Sequence, residues 1–282
     1  MMPVYNMRIL FYIGANNGDL INFTGILNFL KVFYPTYQFD FLIPRAQAYI
    51  LNYHPGVNKI LFLEDFPSLP NHVLMEYFDS SIKKAFLSSY DRVLGIWGCL
   101  TKSPDTNDFV DMMLNLMWEY EFKLPVKRQD VNGVFYYTTN DYVHVDNFYN
   151  SLPKGKRILI VEDAAKSWIP PQLESLQRII NELQKYNYVV CATHLIGDAS
   201  LQGLNLKQIK LFFERYAYAF LGVSSGISCA IWTEPTLFLD KKVIISGINK
   251  GWNVSHSMKN PQNYHFFFDQ YSLNDVLRIL EN

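Results

Sequence analysis

A length of 282 residues exceeds the usual size of a single domain, about 100–200 residues, and favours two domains. The 25 Lys and Arg residues nearly cancel the 26 Asp and Glu residues, so the composition offers no basic excess for nucleic acid, and no nucleic-acid partner is expected. Three widely spaced cysteines with apolar neighbours, Cys99, Cys191 and Cys229, are typical of reduced core thiols and argue against a disulfide framework or a zinc site.

In chain order, the first half of the sequence alternates short apolar runs with helical patterns. It begins without the basic segment and cleavage site of a signal peptide, so a cytoplasmic location is expected. The apolar runs predict strands at residues 9–13, 37–43, 59–63 and 92–96, and the helical patterns fall at residues 19–33, 47–53, 71–88 and 105–120. Such alternation is typical of a mainly parallel sheet.

A polar, aromatic stretch at residues 127–150 separates the two halves. Its Asn132-Gly133 pair indicates a turn, and the tyrosines Tyr136, Tyr137 and Tyr142 fit either a surface β-hairpin or an insertion that binds a substrate. The Leu152-Pro-Lys-Gly-Lys156 segment reads as a domain boundary, which divides the chain into domains at residues 1–152 and 153–282.

The second half repeats the alternation of strands and helices. Strands are predicted at residues 157–161, 188–192, 218–221, 235–238 and 243–246, and helices at residues 171–185, 206–215, 227–232 and 272–281. The predicted fold class is therefore α/β, with two Rossmann-like domains facing a central cleft, and the last helix could pack back on the first domain. Residues 216–233 carry no charge, but their Gly and Ser residues favour a strand, a turn and a buried helix over a membrane span.

Each half carries one strand-loop-helix segment that could bind a substrate. In the first, Asn16, Asn17 and Gly18 form a loop before a helix whose first turn contains Asp19, either as a functional carboxylate or as an ordinary N-cap. In the second, the turn of Ser224, Ser225, Gly226, Ile227 and Ser228 offers backbone N–H groups to a phosphate, unless a serine simply caps the helix.

One lysine and the lack of several known catalytic motifs bear on the chemistry that the sequence predicts. Lys166 follows the first strand of the second half, where it is either a solvated loop lysine or a cation facing the carboxyl end of the sheet. The sequence contains no dinucleotide fingerprint, phosphate-binding loop, HExxH or GxSxG motif, no Asp-x-Asp pair, and no His spacing suited to a metal. Metal-free chemistry without a cofactor is predicted.

In order and position, these segments resemble the bacterial heptosyltransferases of lipopolysaccharide core assembly, and more broadly the two-domain GT-B glycosyltransferases. The resemblance rests on Gly18-Asp19 with Thr24 in the following helix, residues 34–43, residues 54–61, Lys166-Ser-Trp168, the turn at residues 225–228 and Pro235. Two positions depart from the family: Cys229 replaces a usual histidine, and Ser224 or Ser225 replaces a common aspartate.

The resemblance implies a metal-independent, inverting transfer of a sugar from a nucleotide-sugar donor to a hydroxyl of a cell-surface glycan or lipopolysaccharide precursor. The first domain would hold the acceptor, with the loop of Asn16, Asn17 and Gly18 beside it and Asp19 as the base. The second would bind the donor through Lys166 and residues 224–228. Such an enzyme would work in the cytoplasm, in peripheral contact with the inner membrane through its glycolipid acceptor. A nucleotide-sugar isomerase or hydrolase, and a non-catalytic nucleotide-sugar or glycan-binding protein, remain alternatives.

Overall fold

The computed structural model describes residues 6–12, 17–67, 75–96, 109–127, 130–163, 170–194, 197–223, 225–231, 233, 240–246, 263–267 and 271–282. The chain divides into two compact units, Met1–Tyr136 and Tyr137–Asn282. The division falls earlier than the expected boundary at residue 152, because one further helix, described below, packs within the second unit.

The first unit is built on a parallel sheet of four strands in the order β3-β2-β1-β4. Its strands are β1 (Arg8–Tyr12), β2 (Gln38–Ile43), β3 (Lys59–Phe62) and β4 (Arg92–Gly95). β1 pairs with β2 on one side and β4 on the other, so the direction of winding reverses beside β1. Parallel α/β sheets bind ligands at such a point, beyond the carboxyl ends of the strands.

Helices cover both faces of this sheet. They are α1 (Asn17–Phe33), α2 (Ala48–Leu51), α3 (Met75–Phe86) and α4 (Phe109–Glu119). Ile82 and Phe86 of α3 pack with Leu10 and Leu42 on one face. On the other, Phe23 of α1 joins a cluster of aromatic rings with Phe11, Phe39, Phe41 and Phe122. The unbroken apolar runs of the strands are explained by this double cover.

One buried carboxylate interrupts the apolar core of the first unit. Asp40 in β2 is fully buried, and its oxygens accept hydrogen bonds from Arg8 Nη2 at 2.9 Å, Tyr90 Oη at 2.9 Å and Asn58 Nδ2 at 2.6 Å. The guanidinium also lies over the Tyr90 ring. Since every partner satisfies part of the carboxylate, Asp40 is a structural ion-pair centre for the strands around it.

The second unit has a six-stranded parallel sheet in the order β10-β9-β8-β5-β6-β7. Its strands are β5 (Arg157–Val161), β6 (Tyr188–Ala192), β7 (Ala199–Ser200), β8 (Ala217–Val223), β9 (Lys242–Ser246) and β10 (Tyr264–Phe266). Its helices are α5 (Thr139–Ser151), α6 (Pro170–Leu183), α7 (Leu206–Arg215), α8 (Gly226–Ile231) and α9 (Leu273–Glu281). The winding reverses between β5 and β8.

The predicted fold class is confirmed, with mainly small shifts at element ends. The tyrosine-containing stretch for which a β-hairpin or an insertion was expected does not form a hairpin. Residues 130–138 contain no strand, and α5 starts at Thr139. β7 and β10 were not predicted. The strand expected at residues 235–238 lies outside the described residues.

The two remaining sequence expectations concern the end of the chain and the uncharged segment. α9 packs Val276, Ile279 and Leu280 against the sheet of its own unit. The uncharged segment forms β8 and α8, as expected. In the part of the chain that the structure describes, no helix has the length and apolarity to cross a bilayer.

Candidate functional site

The first-loop residues of the first unit lie where β1 passes into α1. Asn17, Gly18 and Asp19 form the first turn of α1, while Asn16 lies outside the described residues. Gly18 is buried, and Asp19 is half-buried and is the acidic residue of this turn. The turn stands at the carboxyl end of β1, where the helix dipole favours negative charge. A substrate hydroxyl at this edge could therefore meet a carboxylate.

The position of α1 is fixed by the 130–136 segment, which runs along the helix. The backbone N–H of Val134 donates to Thr24 Oγ1 at 2.8 Å, and Tyr136 Oη donates to Asn28 Oδ1 at 3.2 Å. A Cβ atom added to Gly25 would overlap the carbonyl oxygen of Asn132. Gly25 therefore allows the backbone of the segment to approach the helix closely, which helps to hold the turn of Asp19 in place.

His54 makes a second contact with α1 from the loop after α2. Its Nδ1 accepts the Gly56 N–H at 3.0 Å, so its Nε2 carries the proton and donates to the Thr24 carbonyl oxygen at 3.1 Å. Burial lowers the His54 pKa to about 4, in spite of the bond to Thr24, which favours the charged form. His54 is thus a neutral structural histidine.

In the second unit, the turn at residues 225–228 forms a closed set of hydrogen bonds. Ser225 Oγ accepts the N–H groups of Ile227 at 3.1 Å and Ser228 at 3.2 Å, and Ser228 Oγ accepts the Ser225 N–H at 2.8 Å. Ser225 is therefore the N-cap of α8, as the simpler reading of the sequence holds. The backbone N–H of Gly226, in the same turn, has no hydrogen-bond acceptor among the described residues.

A buried carboxyl group that the sequence reading did not select lies beside this turn. Glu162 directly follows β5 and is 1% exposed. Its Oε2 accepts the Val223 N–H at 3.4 Å, and the Ser225 hydroxyl donates to its carboxyl group. A Cβ added to Gly222 would lie 2.8 Å from Oε2, so the glycine makes room for the carboxyl group.

The environment of Glu162 favours its neutral form. Burial, aided by the neighbouring charge of Asp163, raises the Glu162 pKa to about 7, although the hydrogen bonds from Ser225 and Val223 oppose the shift. Asp163 is tied to the end of β6, where Thr193 Oγ1 at 3.0 Å and the His194 N–H at 2.6 Å donate to its Oδ1. An acidic pair directly after an apolar strand was the available sequence signal.

The other residues selected from the sequence are a lysine, a serine and the three cysteines. Lys166 and Ser224 lie outside the described residues, as does Cys99. Neither Cys191 nor Cys229 forms a disulfide bond among the described residues; the first is buried and the second half-buried. Across the described positions, no group of three or more His, Cys, Asp or Glu residues is arranged to hold a metal ion. The described candidates thus form one group in each unit: Asn17 to Asp19 in the first, and residues 225–228 beside Glu162 in the second.

No protein-family model and no curated protein matches the sequence. Solved structures do resemble the fold. A family 9 glycosyltransferase from Veillonella parvula matches with a TM-score of 0.68 and 11% identity, over 99% of this chain and 97% of its own. The E. coli ADP-heptose lipopolysaccharide heptosyltransferase II matches with a TM-score of 0.59 and 14% identity, over 98% of each chain. The E. coli heptosyltransferase WaaC with ADP matches with a TM-score of 0.54 and 15% identity, over 98% of this chain and 97% of its own.

The resemblance found in short sequence motifs thus extends through the fold of almost the whole chain. Identities of 11% to 15% make this a statement about architecture, since one fold can carry several activities. The chain has the two-domain GT-B fold of the heptosyltransferase-like glycosyltransferases.

Proposed function

We propose that this protein is a glycosyltransferase that moves a sugar from a nucleotide-sugar donor to a hydroxyl of a cell-surface glycan or lipopolysaccharide precursor. The main support is the fold, which follows a family 9 glycosyltransferase over 99% of the chain. The position of Asp19 adds to it, because a carboxylate in the first turn of α1 stands at the ligand-binding edge of the sheet. Transfer with inversion and without a metal is the simplest chemistry for these residues.

In the proposed reaction, Asp19 accepts the proton of the acceptor hydroxyl as its oxygen attacks the anomeric carbon of the donor. The bond from that carbon to the diphosphate breaks in the same displacement, which inverts the centre. The second unit binds the departing nucleoside diphosphate at the carboxyl edge of its sheet, with Lys166 and the turn at residues 224–228 as donors. Three N–H groups of that turn already donate to the serine hydroxyls that cap α8. The Gly226 N–H and the lysine would therefore make most of the proposed contacts with phosphate.

Asp19→Asn tests the base. Asparagine keeps the size of the side chain and most of its capping ability, so folding and donor binding should persist. Transfer should fall by at least ~10²-fold, because an amide cannot accept the proton. The matched control is Asp91→Asn, which removes a carboxylate that accepts the Arg8 N–H at 2.6 Å at the amino edge of the same sheet. Transfer by Asp91→Asn should stay near the native rate.

The donor is found by thermal-shift measurements with a panel of nucleoside diphosphates, followed by turnover of the matching nucleotide sugars. ADP is the first probe, because two of the structural neighbours are described with ADP or ADP-heptose. A ligand at a hundredfold over its Kd should add about 2.7 kcal/mol to stability. Binding without any transfer would favour the non-catalytic alternative, and donor turnover without an acceptor would favour an isomerase or hydrolase. The cytoplasmic location and the peripheral membrane contact stay predictions.

A further inference from the structure

The carboxyl group of Glu162 connects three segments at the carboxyl edge of the sheet in the second unit. It belongs to the end of β5, it accepts the N–H of Val223 at the end of β8, and it receives the hydroxyl hydrogen bond of Ser225 at the start of α8. Gly222 leaves space for it that a Cβ would fill. The winding of the sheet reverses between these two strands, so Glu162 lies where such sheets bind ligands.

Ser225 transmits the position of Glu162 to α8. Its oxygen accepts the N–H groups of Ile227 and Ser228, so its own hydrogen is free to point at the carboxyl group. A carboxylate that accepts this hydrogen fixes the orientation of the cap. The chain of hydrogen bonds therefore runs from the backbone of α8 through one hydroxyl to one buried acid.

The proton affinity of this acid is set by the groups around it. Burial is the main cause, and Asp163 adds negative charge from the same strand end, so the Glu162 pKa rises to about 7. Val223 and Ser225 oppose this shift from β8 and α8. Tyr271, ahead of α9, is buried with a hydroxyl that has no hydrogen-bond partner among the described residues, and both burial and the Glu162 charge raise its pKa. Near neutral pH, a small electrostatic change can therefore move the proton.

We propose that Glu162 is a positioning residue of the donor site, which holds the turn before α8 and takes up a proton from solvent when a nucleoside diphosphate binds. The inference rests on the proposed function, because it requires the diphosphate to bind at this edge. A diphosphate brings negative charge to a buried carboxylate, and the pair avoids repulsion when the carboxyl group becomes neutral. By linkage, binding raises the Glu162 pKa and a lower pH tightens binding.

Glu162→Gln gives a sharp test, because glutamine imitates the neutral acid in size and charge. At pH 6 the native protein and the variant should bind ADP equally. At pH 8 the variant should bind up to about tenfold more tightly than the native protein, since it has no charge to neutralise, and one pH unit above the pKa corresponds to a factor of ten. The matched control is Glu182→Gln, which alters an exposed carboxylate paired with Lys185 on the same unit. It should bind ADP like the native protein at both pH values.

Calorimetry in buffers of different ionisation enthalpy measures the proton directly. Proton uptake per ADP bound should be larger in the native protein than in Glu162→Gln at pH 7.5, and ionisation of the ADP phosphate contributes equally to both. Equal uptake and equal affinity at pH 8 would overturn proton linkage while leaving donor binding intact. If no nucleoside diphosphate binds, the proposed function fails and proton linkage with it.

Hydrogen exchange without ligand tests the positioning role separately. Glu162→Ala removes the acceptor of the Ser225 hydroxyl, so the amides of Ser225, Ile227 and Ser228 should exchange faster than in the native protein, and Glu162→Gln should restore most of the protection. Circular dichroism and the exchange of the distant helix α5 show whether the alanine variant is folded. Unchanged exchange of the Ser225, Ile227 and Ser228 amides in a folded Glu162→Ala protein would overturn the positioning role.

Discussion

Burial shifts the pKa values of His54 in the first unit and of Glu162 in the second, and the two values move in opposite directions. His54 is neutral when deprotonated, so burial lowers its pKa to about 4. Glu162 is neutral when protonated, so burial raises its pKa to about 7. The same physical cause, the cost of placing charge in an apolar environment, therefore gives the two residues opposite effects on stability as the pH changes.

His54 should make stability depend on pH between about 6.5 and 4. Its unfolded pKa is the higher one, so the unfolded state binds more protons in this range and the stabilisation is lost as the pH falls. The stability that His54 contributes, measured as the difference between the native protein and His54→Gln, should fall by about 2 kcal/mol between pH 7 and pH 5. Urea denaturation at both pH values should show that His54→Gln lacks this loss, while His194→Gln, which changes an exposed histidine, retains it. An equal pH dependence in the native protein and His54→Gln would contradict the assignment.

For single residues, the sequence was a better guide to the position of Asp19 than to the surroundings of Glu162. A loop that ends an apolar strand and starts a helix places Asp19 in a first helical turn by local pattern alone. Glu162 and Asp163 also follow an apolar strand, but their significance depends on Val223 and Ser225, about 60 residues further along the chain. Contacts made across strands are decided by the packing of the sheet, which local spacing does not contain.

At the scale of elements, Gly25 tests how closely the 130–136 segment approaches α1. Replacing a helical glycine with alanine usually stabilises a protein by about 1 kcal/mol. Gly25→Ala should instead destabilise this one, by about 1–3 kcal/mol, because the new methyl group would overlap the Asn132 carbonyl group. Gly203→Ala is the control, since a Cβ there meets nothing within 4 Å. A more stable Gly25→Ala protein, measured by urea denaturation, would contradict the close approach.

α5 shows what a reading of the elements can miss. Its polar composition suggested a loop region, but Thr138 and Asp141 form a reciprocal capping box that starts a helix. The helix is then held to α7 by an ion pair and by ring contacts: Lys207 Nζ lies 2.7 Å from Asp141 Oδ2, and the Phe148 and Phe212 rings lie 5.1 Å apart. Because only a few apolar residues, among them Val145 and Phe148, face the core, α5 lacks the continuous apolar stripe by which helices are usually recognised.

At the scale of the whole molecule, alternation of strands and helices was enough to predict the fold class but not the activity. The inner strands β1, β2, β5, β6 and β8 are buried by helices on both faces, so their apolar runs are visible in the sequence. In the proposed function, the donor base, the sugar and the acceptor would depend on the shapes of loops beyond the strand ends, which no such pattern specifies. The fold is therefore shared at 11% identity with a family 9 glycosyltransferase, while the substrates need direct measurement.

The opposite pH dependences of His54 and Glu162 lead to a prediction for the whole chain. As the pH rises from 5 to 7, the neutral His54 should add about 2 kcal/mol to the stability of the first unit. Over the same range, ionisation of Glu162 should cost the second unit about 2 kcal/mol. The folded pKa of Glu162 is the raised one, so the stability it gives is present below about pH 4.5 and is lost as the pH rises through 7.

Hydrogen exchange, corrected for the intrinsic effect of pH, can follow the two units separately. Amides of β1 and β2 should become better protected between pH 5 and pH 7, and amides of β5 and β8 should become less protected. His54→Gln should abolish the first trend and Glu162→Gln the second, each without affecting the other. If the whole chain instead unfolded in one cooperative step, the two contributions would nearly cancel and all four strands would show the same small change. That result would mean that the two units do not unfold independently. The opposite signs of the His54 and Glu162 contributions would then appear only when each variant is compared with the native protein.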